Sequence, residues 1–255
     1  MIFQGQYYSP MAQISGFTAF ISLMIGFILG GIVLIKAIKT RQRIIFLFFL
    51  CIIFTLSPWY PSGLGYIYWL ITEEPLPYKI YLVIGLAGVP IAIIAWLDIY
   101  MNTINPGKKN LVLILFTIFS VIFEIYLFYY LNFAPGAPVE EVLGVFDNPE
   151  NITDIDYRSF VLIYLTSLIG IAVITGIHFS IMSMKIEENP EFKYKGRFLF
   201  VAFILFGVAG IFDAIVPMDV FLLIIIRLVL MATTFCFYVG FILPKWVNKL
   251  LKIAE

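Results

Sequence analysis

Residues 220–243 read VFLLIIIRLVLMATTFCFYVGFIL, twenty-four consecutive residues with a single charge, Arg227. A bilayer core about 30 Å thick takes about 20 apolar residues of α-helix, so this run is long enough to cross a membrane. Six further charge-poor runs precede it: Gly16 to Ile35, Ile44 to Ile71, Ile80 to Met101, Leu111 to Phe133, Ser159 to Met184 and Phe198 to Val216. The chain therefore reads as an all-α integral membrane protein, a bundle of seven transmembrane helices without a separate soluble domain. Composition agrees, because 62% of the 255 residues are hydrophobic and 13% are charged, with a mean hydropathy of +1.02, whereas a soluble domain carries about 25% charged residues.

The second run exceeds one crossing and contains Ser57-Pro58-Trp59-Tyr60-Pro61-Ser62-Gly63. Its prolines remove amide donors and restrict the residues before them. A helix is expected from Ile44 to about Ser57–Tyr60, followed by a kinked or irregular segment through Trp69. After the seventh span, Trp246, Val247, Leu250, Leu251 and Ile253 alternate with Lys249 and Lys252. That pattern suits a short amphipathic helix over 246–254 lying along the membrane surface.

Lys and Arg divide unequally between the two sets of loops. Thirteen fall at 36–43, 108–109, 185–197 and 245–252, against only Lys79 and Arg158 on the other side. The positive-inside bias places the amino terminus outside and the carboxyl terminus in the cytoplasm; the plasma membrane is the expected location. The first span follows no positive residue and precedes four, the reverse of a signal peptide, so it reads as an anchor. On this orientation residues 134–158 form an extracellular acidic loop, with Glu140, Glu141, Asp147, Glu150, Asp154 and Asp156 against Arg158. It reads either as a solvated loop or as a lid that concentrates cations. Asn151-Ile152-Thr153 is a glycosylation sequon within it.

Sixteen basic residues balance sixteen acidic ones, so no cationic surplus is available to neutralise a nucleic acid. Two separated cysteines and one histidine provide neither a disulfide framework nor a metal or haem site. There is no HExxH, no Gly-x-Ser of the intramembrane serine proteases, and Gly63-Leu64-Gly65 continues with Tyr66 rather than Asp. No catalytic residue is assigned.

A charge near the bilayer centre costs about 2.5–3.5 kcal/mol even on lenient scales. Five ionisable residues nevertheless lie in the spans: Asp98, Glu124, His178, Asp213 and Arg227. At about 1.5 Å per residue, Asp213 and Arg227 fall at similar depth beneath the outer surface, and Glu124 slightly deeper, so these three are expected to meet. Asp98 and His178 fall near the inner surface as a second pair, where a wet helix end beside Lys108 and Lys109 also accounts for Asp98. Arg227, Thr234 and Tyr238 share one stripe of the seventh helix, and Thr117, Ser120 and Glu124 one stripe of the fourth. Such stripes face the bundle interior, either around a polar cavity or as an assembly network. Trp59, Tyr60 and Tyr66, beside the proline-glycine segment, form an expected entrance at the outer end, within a wider interfacial belt of Trp and Tyr. The spacing of Gly26 and Gly30 allows close helix approach, and Gly85, Gly88 and Pro90 allow a kink.

Seven helices with the amino terminus outside is also the arrangement of the microbial rhodopsins, and Trp96-Leu97-Asp98 resembles the tryptophan and carboxylate of their third helix. Their retinal is held by a lysine in the seventh helix, and residues 220–243 contain none. Asp98-Ile99-Tyr100 stands where G-protein-coupled receptors carry Asp-Arg-Tyr, with isoleucine in place of the arginine. These are likenesses of topology and identify no family; no cofactor is expected. The leading reading is a receptor or sensor with a small-molecule site near the outer face and a separate cytoplasmic protein partner. A small-solute or proton-coupled transporter is the alternative. A lipid-modifying enzyme or accessory subunit stands third.

Overall fold

The computed structural model describes residues 9–134, 139–148, 151–186, 189–216 and 219–251. Seven helical stretches among them are long and apolar enough to cross a membrane. The protein is a multi-pass integral membrane protein. The first span is α1 (Pro10–Thr40), opened by Ser9, whose hydroxyl accepts from the Ala12 amide, and by Pro10 in the first turn, where a missing amide proton costs nothing.

The second span is continuous in direction but broken in geometry: α2 (Arg43–Thr55), a 3-10 turn (Ser57–Trp59) and α3 (Tyr60–Thr72). The irregular segment expected through Trp69 is thus confined to four residues, 56–59, and the helix resumes. Pro58 and Pro61 each sit in the first turn of their own element, where proline is compatible with a helix. The third span breaks as well, into α4 (Tyr78–Leu86) and α5 (Val89–Ile104), just ahead of Pro90. The two breaks lie side by side. A Cβ placed on Gly88 would come within 3.2 Å of the Ser57 side chain.

The remaining spans are α6 (Lys109–Phe133), α8 (Ser159–Met184), α9 (Pro190–Ile215) and α10 (Val220–Ile242). Helix α9 begins two turns before its apolar run because Asn189 caps it through the Glu191 amide and Pro190 starts it. Asp219 caps α10 through the Leu222 amide. The amphipathic helix after the seventh span is α11 (Lys245–Leu250), with Val247 buried and Trp246 and Leu250 exposed; residues 252–254 of the expected helix lie outside the described residues.

The acidic loop is the largest departure from a simple bundle. It folds as a one-turn helix, α7 (Val139–Leu143), and an antiparallel hairpin of β1 (Gly144–Asn148) and β2 (Asn151–Tyr157), pairing Gly144 with Tyr157 and Phe146 with Ile155. The hairpin is anchored rather than solvated. Ile155 is buried, the Tyr78 hydroxyl donates to the Gly144 carbonyl at 2.6 Å, and Phe146 meets the edges of Tyr78 and Tyr81. Glu140 and Asp156 stay at the surface; the side chains of Asp147, Glu150 and the sequon lie outside the described residues.

Helix packing follows the small residues. Gly26 and Gly30 of α1 receive Leu56 and Ile53 from the second span. Gly63 of α3 meets the backbone of Phe20, which a Cβ would approach to 3.0 Å, whereas a Cβ on Gly31 would meet nothing within 4 Å. Gly63→Ala is therefore expected to separate α1 from α3 and lose about 1–3 kcal/mol. Gly31→Ala, measured beside it in the same thermal melt, should leave the midpoint unchanged.

Candidate functional site

Helices α2, α5, α8, α9 and α10 line a partly open cavity of about 160 Å³ that β2 borders at one end. Its walls are mostly apolar. At the end away from the hairpin they consist of Trp96, Phe48, Phe203 and Phe241, with Phe48 and Phe241 stacked at 3.7 Å and Trp96 tilted on Phe203 at 4.8 Å. At the hairpin end the lining changes to Asp154, Tyr157, Asp213, Trp59 and Tyr81.

These polar groups are organised by Arg227, whose side chain is 1% exposed. Its Nη1 donates to Asp213 Oδ1 at 3.2 Å, and its Nη2 lies 3.9 Å from Asp154 Oδ2. The second Asp213 oxygen accepts from Trp59 Nε1 at 2.7 Å. Four segments distant in sequence are thereby tied together: the break of the second span, the hairpin, α9 and α10. The expected depth match of Asp213 and Arg227 is realised as a direct contact, and Asp154 supplies a second carboxylate. Arg227 Nε has no hydrogen-bond partner among the described residues. The Tyr157 phenol lies beside this cluster; burial first, and then the charges of Asp154 and Asp213, push its pKa up.

Several expected members stand elsewhere. Glu124 is not paired with Arg227 or Asp213, because α6 packs on α5 and α8, and its Oε1 is buried without a hydrogen-bond partner among the described residues. Ser120 of the same stripe bonds Tyr164 at 3.0 Å, while Thr117 is exposed on the face turned to lipid. The polar stripe of α6 is therefore a helix-contact feature and not a cavity wall. Thr234 does line the cavity, as does Thr233, and both hydroxyls donate to carbonyls one turn back. Tyr238 is buried but outside the lining.

Of the expected entrance, only Trp59 reaches the cavity. The Tyr60 hydroxyl donates to the Ile53 carbonyl at 2.5 Å while its ring lies on Phe27. Tyr66 packs on Phe17 and Trp69. Both aromatics face neighbouring helices because α3 is a regular helix, which turns consecutive residues to different sides.

The opposite end carries a separate cluster. Asp98, with its side chain 8% exposed, pairs with Lys109 at 2.7 Å and also with Arg43. It joins the ends of α2, α5 and α6 rather than pairing with His178, whose Nδ1 instead meets the Tyr100 hydroxyl at 2.9 Å. Arg43 is 68% exposed, so Lys109 contributes most of the compensation. Asp98 is buried and paired, not a solvated helix end.

Among the described residues no group of His, Cys, Asp and Glu is placed to hold a metal ion. No family model, no curated protein and no solved structure matches this chain.

Proposed function

We propose that the protein is a seven-helix membrane receptor or sensor whose ligand occupies the cavity beneath the hairpin. The observation that carries this reading is the change in lining along one cavity. Two carboxylates, an indole and two phenols stand at the hairpin end, and apolar aromatics fill the other. Ligand sites combine a mostly apolar wall with a few convergent polar groups in this way. A network made only for assembly would not leave open space beside it. The hairpin acts as the lid, held by the long contact between Asp154 and Arg227, and a ligand that competes for Asp154 changes how the lid seats on α9 and α10.

On this reading the hairpin end is extracellular, and the opposite end, with Lys39, Arg41, Lys108 and Lys193, faces a cytoplasmic protein partner. Orientation is tested by cysteine labelling in a background where Cys51 and Cys236 are alanine. Glu141→Cys should react with an impermeant thiol reagent on intact cells, and Lys193→Cys only after lysis. The reverse pattern would place the ligand site on the cytoplasmic side and remove the receptor reading.

A transporter is the second reading, favoured by the adjacent breaks in the second and third spans. Discontinuous helices beside a midmembrane site are the device by which carriers bind solutes and rock between states. Accumulation of labelled ligand in proteoliposomes separates the two. A receptor binds without flux, and a carrier shows saturable uptake.

A further inference from the structure

Phe48 of α2 and Phe241 of α10 stack at 3.7 Å, which sets these two positions at one level of the bundle. The second span runs toward the hairpin and the seventh runs away from it, so a step of seven residues from the stack toward the hairpin reaches Thr55 on α2 and Thr234 on α10, about 10 Å on in each case. Seven residues are close to two turns, and each threonine therefore shares a helix face with its phenylalanine. The two faces that touch at the rings border the cavity at the threonines, and Thr55, Thr233 and Thr234 all belong to its lining.

These hydroxyls are not equivalent. Thr233 and Thr234 donate to the carbonyls of Val229 and Leu230 and keep lone pairs with which to accept. A threonine inside a helix commonly bonds a carbonyl one turn back, as Thr18 and Thr175 also do. Thr55 is the last residue of α2, and its hydroxyl has no hydrogen-bond partner among the described residues. An unspent O–H in apolar surroundings is costly. The walls at this level are Ile52, Ile93, Leu168 and Phe237, so the middle of the cavity holds one free donor on α2, acceptors on α10, and hydrocarbon around them.

We propose that the cavity takes an uncharged hydrocarbon chain ending in a hydroxyl, with the hydroxyl between Thr55 and Thr234 and the chain lying over Trp96 and Phe203. A hydroxyl has one donor and two lone pairs, so a single group accepts from Thr55 and donates to Thr234. An ammonium has no lone pair for Thr55, and a carboxylate has no proton for Thr234. Either would also set a charge against apolar walls. A plain hydrocarbon fills the same space and leaves Thr55 unpaired, the difference by which a site built for a hydroxyl rejects an analogue without one. The distance of about 10 Å from the threonines to the stacked rings suits a medium-length chain. This inference rests on the reading of the cavity as a ligand site and adds the chemical class.

The test is photolabelling of the full-length protein in nanodiscs with an octanol that carries a diazirine on its chain, the adducts being mapped by peptide mass spectrometry. Adducts should fall on the peptides that contain Trp96, Phe203 and Phe241. Unlabelled 1-octanol should displace them about fivefold more effectively than octane, the worth of one hydrogen bond, and octylamine and octanoate should do no better than octane. Thr55→Val keeps the shape of the side chain and should reduce octanol to the level of octane, whereas Thr55→Ser should preserve the preference. Thr117→Val, at an exposed threonine of α6, should change nothing. Octane or octylamine competing as well as octanol, or an octanol preference unmoved by Thr55→Val, would overturn the inference and leave the cavity as a site for a ligand of other chemistry. Labelling that none of the four competitors displaces would overturn both this inference and the ligand-site reading beneath it.

Discussion

Arg227→Gln is expected to cost about 3–5 kcal/mol of stability, the range for one member of a buried ion pair removed from its partners. The cause is asymmetric. Without the guanidinium, Asp213 and Asp154 remain as two carboxylates sharing one buried end, each with its Arg227 contact gone. Asp213→Asn should cost less, because Arg227 retains Asp154 and the amide still accepts from Trp59 Nε1. Adding Asp213→Asn to Arg227→Gln removes one of the two carboxylates that have lost Arg227, so the double variant should melt no lower than Arg227→Gln alone. Thermal melts of the four proteins in one detergent close the cycle. Losses that simply add would mean that the two residues act independently and that the seating of the hairpin does not depend on their contact.

Ala92→Phe is expected to abolish ligand binding while leaving the fold intact. Ala92 is buried on α5 and borders the cavity, so a phenyl ring grafted there enters open space of about 160 Å³ rather than a packed neighbour. Filling a cavity restores contacts that its walls lack, which stabilises or leaves stability unchanged. The substitution therefore separates occupancy from folding, unlike changes to the ion pair, which disturb both. Loss of binding together with loss of the folded protein would indicate that α5 has no free space at this position.

Much of the bundle was legible in the sequence because membrane spanning imposes a length and a composition that few other segments satisfy. Charge-poor runs located the seven membrane-length stretches found among the described residues, and the short connection between residues 216 and 220 placed Asp213 and Arg227 at matching depth. Depth is one-dimensional, however. It also grouped Glu124 with them, and Asp98 with His178, although helix rotation and neighbour order turn those side chains elsewhere. Which helices adjoin is a property of the folded bundle that hydropathy does not encode.

The second span illustrates another limit. Prolines at Pro58 and Pro61 signal a break, but in the first turn of a following element they start helices as readily as they stop them. The hairpin was hidden by its charge. Six acidic residues between Ala134 and Arg158 suggest a solvated loop, while Ile155 and Tyr157, spaced two apart at its end, were the available sign of a strand with a buried face. Asp154 could be recognised as part of the site only once that strand had been docked on the bundle.

The most direct measurement is native mass spectrometry of the protein purified from its host membrane and released from nanodiscs, wild type beside Ala92→Phe. A ligand site beneath the hairpin predicts one small-molecule adduct of defined mass on the wild type and its absence from the variant. A wild type free of any such adduct, or an adduct retained in full by Ala92→Phe, would contradict it.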